Sequence, residues 1–363
     1  MTTVDRRRFL QGLAALPFGC VLDGRLKLAN EHEPEDTGDG WRIGRPEDVG
    51  VDPRAVEEVF ERFFSEHEFV NARSLLIARR GVMIGEGYVR DRADRERLQH
   101  IKSASKSVTS LLTGIAIERG VLSGVDAMLG DLLDEAGERG APRSELTIAQ
   151  LLTMRSGLDW HNGVQTSQLM TDEPANSVAF VLDRPMARTP GVDTNYADCD
   201  PHLVGAAIAR QANESLEGLA RRWLFDPLGV SNLKWEHGRD GVDFAAYGLW
   251  LRPRDMARLG ELCRLGGVWQ ERSVVSQSWI ELSTTARVEI DGLPYGYYWW
   301  PRESFAEGAY MAAGHGGQYI HVLPNHELVI VQTALPYTPT PQLGISSDLT
   351  EELIARIIAG LLD

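Results

Sequence analysis

Cysteine and lysine are both scarce in this chain. Of 363 residues, three are cysteine (Cys20, Cys199, Cys263) and four are lysine. With no Cys-x-x-Cys pair and no Cys/His ligand spacing, neither a zinc site nor a disulfide framework is expected. Basic residues number 37 against 52 acidic ones, a net charge of −15. A surface this acidic repels phosphate backbones and anionic lipid, which argues against nucleic-acid binding. The apolar stretch from Phe9 to Leu22 is too short to cross a bilayer core of ~30 Å as a helix, so no stable membrane span is expected. Several common catalytic frameworks are missing too. There is no Gly-x-Ser-x-Gly elbow, no Gly-x-x-x-x-Gly-Lys-Ser/Thr loop, no His-Glu-x-x-His pair and no Gly-x-Gly-x-x-Gly after a strand. What is present is ordinary for a globular protein, with 43% hydrophobic and 25% charged residues. The length fits about two domains, or one large domain with an inserted lobe.

Residues 1–24 read as an address label. Asp5-Arg6-Arg7-Arg8-Phe9-Leu10, followed by the short apolar stretch, resembles a twin-arginine export signal. It implies the twin-arginine export machinery as a partner and a periplasmic or secreted location. Cys20 sits in a poor lipoprotein box, because Pro17 and Phe18 stand where small or branched residues belong. Residues 25–45 are rich in Glu, Asp and Gly and read as an acidic linker. Residues 46–363 remain for the folded domain.

Within that domain, apolar residues at Val56, Val59, Phe60, Phe63 and Phe64 predict an amphipathic helix over Val51–His67, with Pro53 in its first turn. Ser74–Ala78 and Val82–Val89 predict a hairpin around Arg80-Gly81. From about 103 to 285 the pattern is mostly helical. Strands return at Gly296–Trp300, Gln318–Leu323 and Leu328–Thr333, and a final helix covers Asp348–Leu362. Strands near both ends and helices between them predict an α+β fold. An antiparallel sheet is flanked by the N- and C-terminal helices and carries an inserted, mainly helical lobe. The α/β part spans about 46–115 and 286–363, and the lobe about 116–285. Cys199 and Cys263 could meet, but spacing alone does not bring them together.

Chemistry concentrates first at Ser103-Ala104-Ser105-Lys106. Val108, Leu111, Leu112 and Ile115 behind it form a helical stripe, which places Ser103 at a helix N-terminus with Lys106 one turn on. Residues three apart share a helix face, so hydroxyl and amine can meet. A dry setting and the positive helix end predict a lysine whose pKa is pushed down, able to take the serine proton. With four lysines in the chain such a spacing is uncommon by chance. An N-cap serine followed by a solvated lysine would nevertheless look the same. A second motif, Asn195-Tyr196-Ala197-Asp198, precedes a helical run, where a tyrosine can share a proton with the pair. A third, Gly314-His315-Gly316-Gly317-Gln318, enters a strand. Glycines there, Gly317 among them, let a substrate approach closely, and a strand-edge N–H can serve as an oxyanion donor beside that of Ser103. Trp160, His161, Tyr298, Trp299 and Trp300 crowd the expected cleft, and Trp160 and Trp299 are taken as candidate substrate contacts.

In this order, Ser-x-x-Lys, Tyr-x-Asn-like and His-x-Gly resemble the serine β-lactamase-related hydrolases. That group contains class C β-lactamases, DD-peptidases, family VIII esterases and 6-aminohexanoate-dimer hydrolases. Leu151–Leu158 and Arg252–Gly260 resemble further family segments, the second a helix of the helical lobe. The resemblance implies a β-lactamase/transpeptidase-like fold and a serine hydrolase acting on a small-molecule ester or amide, without metal or organic cofactor. It makes Ser103 the acylated nucleophile, Lys106 its base and Tyr196 the relay. Gln318 and Ser103 supply the oxyanion N–H groups. His315 stands where penicillin-recognising members carry lysine, and Asp198 where Asn or Ser is usual. A mostly neutral histidine and an added negative charge both disfavour a substrate carboxylate, which implies neutral esters or amides over β-lactams. A D-amino-acid peptidase or β-lactamase-like enzyme on peptidoglycan-type substrates is the alternative within enzymes. A non-catalytic module binding cell-wall peptides is the alternative outside them.

Overall fold

Alternation along two strands decides how the layers stack. In the computed structural model, which describes residues 31–171, 174–336 and 344–362, Leu75 and Ile77 face one side of a sheet while Leu76 and Ala78 face the other. Ile330 joins the first side and Val329 and Val331 the second. This is the period of 2 expected of a strand covered on both faces. Residues 1–24, read above as an export signal, and Cys20 lie outside the described residues.

Among the described residues the main sheet has seven strands. They are β1 (Arg42–Ile43), β2 (Ala72–Arg79), β3 (Val82–Tyr88), β4 (Trp300–Pro301), β5 (Tyr310–Gly314), β6 (Gln318–Leu323) and β7 (Leu328–Ala334). Their spatial order is β1-β3-β2-β7-β6-β5-β4. Neighbours run antiparallel, except that β1 lies parallel to β3. The pairing of β2 with β7, Leu76 opposite Val331 and Ile77 opposite Ile330, joins the two ends of the domain. The expected α+β architecture is therefore the one observed.

Six helices place the rest: α1 (Pro53–Ser65), α2 (Ala104–Glu118), α3 (Cys199–Ala212), α4 (Pro253–Arg264), α5 (Gln277–Thr284) and α6 (Ser347–Ala359). Asp52 caps α1 by accepting the Arg54 N–H at 3.0 Å, and Ser346 caps α6. Phe60, Phe63, Leu353 and Ile357 of these two helices close the outer face of the sheet. The approach is tight, because a Cβ on Gly85 would stand 2.6 Å from the Phe60 ring. Helix α2 lies against the inner face and is buried almost all round. Two of its hydroxyls bind the backbone of other elements: Ser107 donates to Tyr298 O at 2.7 Å and Thr109 to Ala245 O at 2.9 Å.

Three expectations need correction. First, residues 31–45 are not a free linker. The His32 ring stacks on Phe60, Trp41 is buried, and Glu35 and Asp39 pair with Arg95, Arg254 and Arg258. Composition counts those acids as solvated; the arginines that receive them are remote in sequence. Second, α4 belongs to the sheet and not to the helical lobe, since a Cβ on Gly260 would meet Val329 at 2.5 Å and Ile320 at 2.9 Å. Third, Gly296–Trp300 is not one strand. Tyr298 takes φ 64° and breaks the run before β4. Cys199 and Cys263, whose pairing the spacing left open, are both buried and free.

Arg254 of α4 ties these layers together. Its guanidinium donates to both Glu86 oxygens, at 2.7 and 2.6 Å, and to Glu35 O at 2.7 Å, with 2% exposure. Burial raises the Glu86 carboxyl, but Arg254 outweighs it and holds the group below the usual carboxylate range. That contribution is present at neutral pH and fades as acid protonates Glu86. Replacing Arg254 by Met leaves a buried carboxylate without its bidentate partner. The expected cost is about 3–5 kcal/mol, read as a lowered urea midpoint at pH 7 with a smaller difference from wild type at low pH.

Candidate active site

The helix start at residue 103 lacks the bond that a capping serine would make. Ser103 occupies the N-cap of α2, yet its side chain makes no capping bond. Instead its Oγ accepts from Lys106 Nζ at 3.0 Å. Lys106 is not solvated either, with 1% exposure. Its ammonium donates to two further acceptors, Asp198 Oδ1 at 2.6 Å and Ala246 O at 3.1 Å. The Tyr196 ring lies over it, centroid 4.9 Å from Nζ. Ser103, Lys106, Tyr196 and Asp198, drawn from two distant motifs, therefore meet at one point.

The charge of Lys106 is the reverse of the sequence expectation. Burial does penalise the ammonium, but the Asp198 carboxylate outweighs burial, helped by Tyr196, and the lysine is held above its ordinary range. Asp198 is in turn fixed. Its Oδ2 accepts from Thr166 Oγ1 at 2.9 Å, and its backbone N–H donates to Asn162 Oδ1 at 2.9 Å. Trp160 donates through Nε1 to Thr166 Oγ1 at 3.1 Å and is buried. Trp160 thus stands behind the site as a support and does not line it. Trp299 is also out of reach, buried edge-on against Tyr310.

A cavity of about 760 Å³ opens over Ser103, walled by Lys102, Asn162, Thr166, Tyr196, Trp300 and His315, among others. Gln318 and Gly317 are not in its wall. The Gln318 side chain is spent on β7, donating to Ala334 O at 2.8 Å and accepting the Ala334 N–H at 3.2 Å. The chain meets the cavity earlier, at Ala313, Gly314, His315 and Gly316. Strand parity explains the offset. Arg302 N–H donates to Ala309 O, so odd residues of this stretch turn their backbone groups toward the β4 side. Strand β4 begins only at Trp300, opposite Met311, which leaves the edge open beside Ala313 and His315. Among the described residues, neither the Ser103 nor the His315 N–H is hydrogen-bonded.

Gly314 sets how close this edge comes. A Cβ there would stand 2.1 Å from Ile101 O and 3.1 Å from Lys102 Cβ, so β5 presses on the residues just before Ser103. Lys102 itself takes φ 55°, a left-handed backbone that is costly for a residue with a side chain. Burial lowers its pKa to about 8, against the opposing pull of Glu236. The motif search missed Lys102, Asn162, Thr166, Met170, Tyr247 and Tyr319. The adjacency of Lys102 to Ser103 is the one local signal; the others reach the cavity only through packing.

This arrangement holds a serine hydroxyl, a charge-paired lysine, a phenol and an open strand edge around one cavity. A family model for β-lactamase matches residues 60–334. The chain belongs to the β-lactamase family. Solved structures agree on the fold of this β-lactamase-family hydrolase. A putative 6-aminohexanoate-dimer hydrolase from Bacillus anthracis is 17% identical, with TM-score 0.72 over 93% of this chain and 95% of that one. EstCE1, a hydrolase with promiscuous acyltransferase activity, is 16% identical, with TM-score 0.68 over 84% of this chain and 97% of that one. A penicillin-binding protein homologue from Caulobacter crescentus is 16% identical, with TM-score 0.64 over 82% and 97%. No curated protein matches the chain.

Substituting Gly314 by Ala tests the strand edge. The added methyl displaces either β5 or the Ile101–Ser103 turn, because backbone oxygen cannot yield as a flexible side chain can. Turnover is expected to fall by 100-fold or more while far-UV circular dichroism stays that of the wild type.

Proposed function

We propose that this β-lactamase-family hydrolase cleaves an ester or amide through an acyl-serine on Ser103. The observation that carries this reading is the 3.0 Å contact between Ser103 Oγ and a buried Lys106, at the floor of an open cavity. Ser103 attacks the carbonyl carbon, and its proton leaves along Lys106. The developing oxyanion rests on the backbone N–H groups of Ser103 and His315, each such donor being worth roughly 10²–10³ in rate. Collapse expels an alcohol or amine, protonated through Lys106 or Tyr196. Water then attacks the acyl group by the same route and frees the enzyme.

Substrate preference follows from the walls. Tyr196, Trp300, Tyr319, Tyr247 and Met170 offer aromatic and apolar surface to an acyl or linear amide chain. Where β5 meets the cavity, Ala313 and Gly314 carry no cation for a β-lactam carboxylate, and the lysine in the wall, Lys102, has its charge weakened by burial. Asp198 repels such a group less than its charge suggests, because that charge is paired with Lys106 at 2.6 Å. Neutral esters and linear amides remain the best fit. The names of the neighbours that act as a dimer hydrolase and a promiscuous acyltransferase favour the same choice.

Two experiments test this. Ser103→Ala is expected to be folded and almost inert, and a fluorophosphonate probe should add one adduct to the wild type and none to the variant. Wild-type turnover in Ser103→Ala would remove the proposal. Separately, kcat/KM for a short-chain p-nitrophenyl ester should exceed that for a chromogenic cephalosporin by at least 100-fold, and the opposite order would overturn the substrate assignment.

A further inference from the structure

The resting geometry poses a question that the acyl-serine reading leaves open. An ammonium has three hydrogens and no lone pair. In Lys106 all three have acceptors: Ser103 Oγ at 3.0 Å, Asp198 Oδ1 at 2.6 Å and Ala246 O at 3.1 Å. Such a lysine cannot accept the serine proton unless it gives one up in the same event. A peptide carbonyl is far too weak a base to receive it. The Tyr196 phenol also faces Nζ, but while it carries its own proton it is as weak a base as a hydroxyl, so among these groups the Asp198 carboxylate is the one that can.

Resting on the acyl-serine reading, we propose that Asp198 is the terminal proton acceptor of acylation, reached through Lys106. As Ser103 Oγ bonds to the carbonyl carbon, its proton passes to Lys106 Nζ while Nζ releases another to Asp198 Oδ1. Lys106 stays an ammonium and Asp198 becomes a neutral acid. Collapse of the tetrahedral adduct breaks the bond to the leaving oxygen or nitrogen. That atom takes the proton back from Asp198 through Lys106. In the second half, a proton of the attacking water follows the same path out and returns to Ser103 Oγ when the acyl bond breaks. No proton is gained or lost over the cycle.

The surroundings of Asp198 suit this part. Thr166 and Asn162 fix the carboxylate and its backbone, which leaves Oδ1 aimed at Nζ. Trp160, through Thr166, is a positioning residue for the relay. Asp198 sits at the N-cap of α3, yet its side chain makes no capping bond, so the carboxylate is left to Lys106 and Thr166. The other titratable groups facing the pair are Tyr196, Tyr295 and, from α3, Cys199, Asp200 and His202. Burial, against hydrogen bonds from Ser156 and Cys199, raises Asp200 to about 7, so it ionises close to the working range.

The test is the sign of the effect of Asp198→Asn on ester hydrolysis, read as a full pH profile. The relay predicts that kcat/KM at pH 7 falls by at least 100-fold. It also predicts that the rising limb moves to alkaline pH, because Lys106 must then lose its own proton first, and that Asp198→Glu restores part of the rate. If Asp198 merely locks the lysine in its charged form, Asn releases it and neutral activity rises; that result, or an unchanged profile, overturns the relay. Repeating the pair in an Asp200→Asn background removes the neighbouring carboxyl from the profile. Should Asp198→Asn fail to fold, Thr166→Val serves. It takes one donor from the carboxylate, so the rising limb should move up, and no shift would again overturn the relay. An inert Ser103→Ala beside a fully active Asp198→Asn would remove the relay and leave the hydrolase; an active Ser103→Ala would remove both.

Discussion

A lysine taken out of water is the constraint around which this site is built. An ammonium at 1% exposure loses its hydration and survives only if the protein returns charge and hydrogen bonds to it. Asp198, Ser103 and the Ala246 carbonyl do so from three separate parts of the chain. Buried ion pairs of this kind contribute little net stability compared with apolar packing. Their value here is positional: the lysine that needs Asp198 for its charge also holds the Ser103 hydroxyl at 3.0 Å. The supporting bonds from Thr166, Asn162 and Trp160 follow from the same need, since a carboxylate buried beside an ammonium must itself be held.

The scaffold turns that pair toward a substrate. Helix α2 is gripped between sheet and helical region, and two of its hydroxyls bind the backbone of other elements, so its first turn has little freedom. Strand β5 closes on the same turn because Gly314 has no side chain to keep it away. Past Met311, where β4 has not yet begun, the β5 edge is open, and an open edge is a row of unspent backbone groups. On the far side, Arg254 and Glu86 bind α4 to β3 and draw the acidic N-terminal segment over both. The family relationship and the shared fold of neighbours below 20% identity fit this picture, in which a few close contacts are demanding and most other positions are free to vary.

Much of the frame was legible in the sequence because its signals are periodic. The period-2 runs at 72–79, 82–88 and 328–334, and the helical stripe of α1, appear within a few residues of where they were read. The misses have a common physical origin. Gln318 was placed at the cavity by counting along a motif, but the turn at 315–317 sends its side chain into the core. Trp160 and Trp299 are large and aromatic, and burial, which sequence does not reveal, decided that neither lines the cavity. Residues 31–45 look solvated in composition, and partners more than 200 residues away dock them.

What the sequence determined by itself was local. A spacing of three at a helix start puts a serine hydroxyl and a lysine amine on one face, and no distant contact is needed for that. Only the tertiary structure decided the charge on that lysine. Asp198 lies 92 residues away in the chain and reaches Nζ through the packing of α3 against α2. Burial alone would have driven the proton off. A carboxylate at 2.6 Å keeps it on, and which of the two prevails depends on a distance that no local pattern encodes.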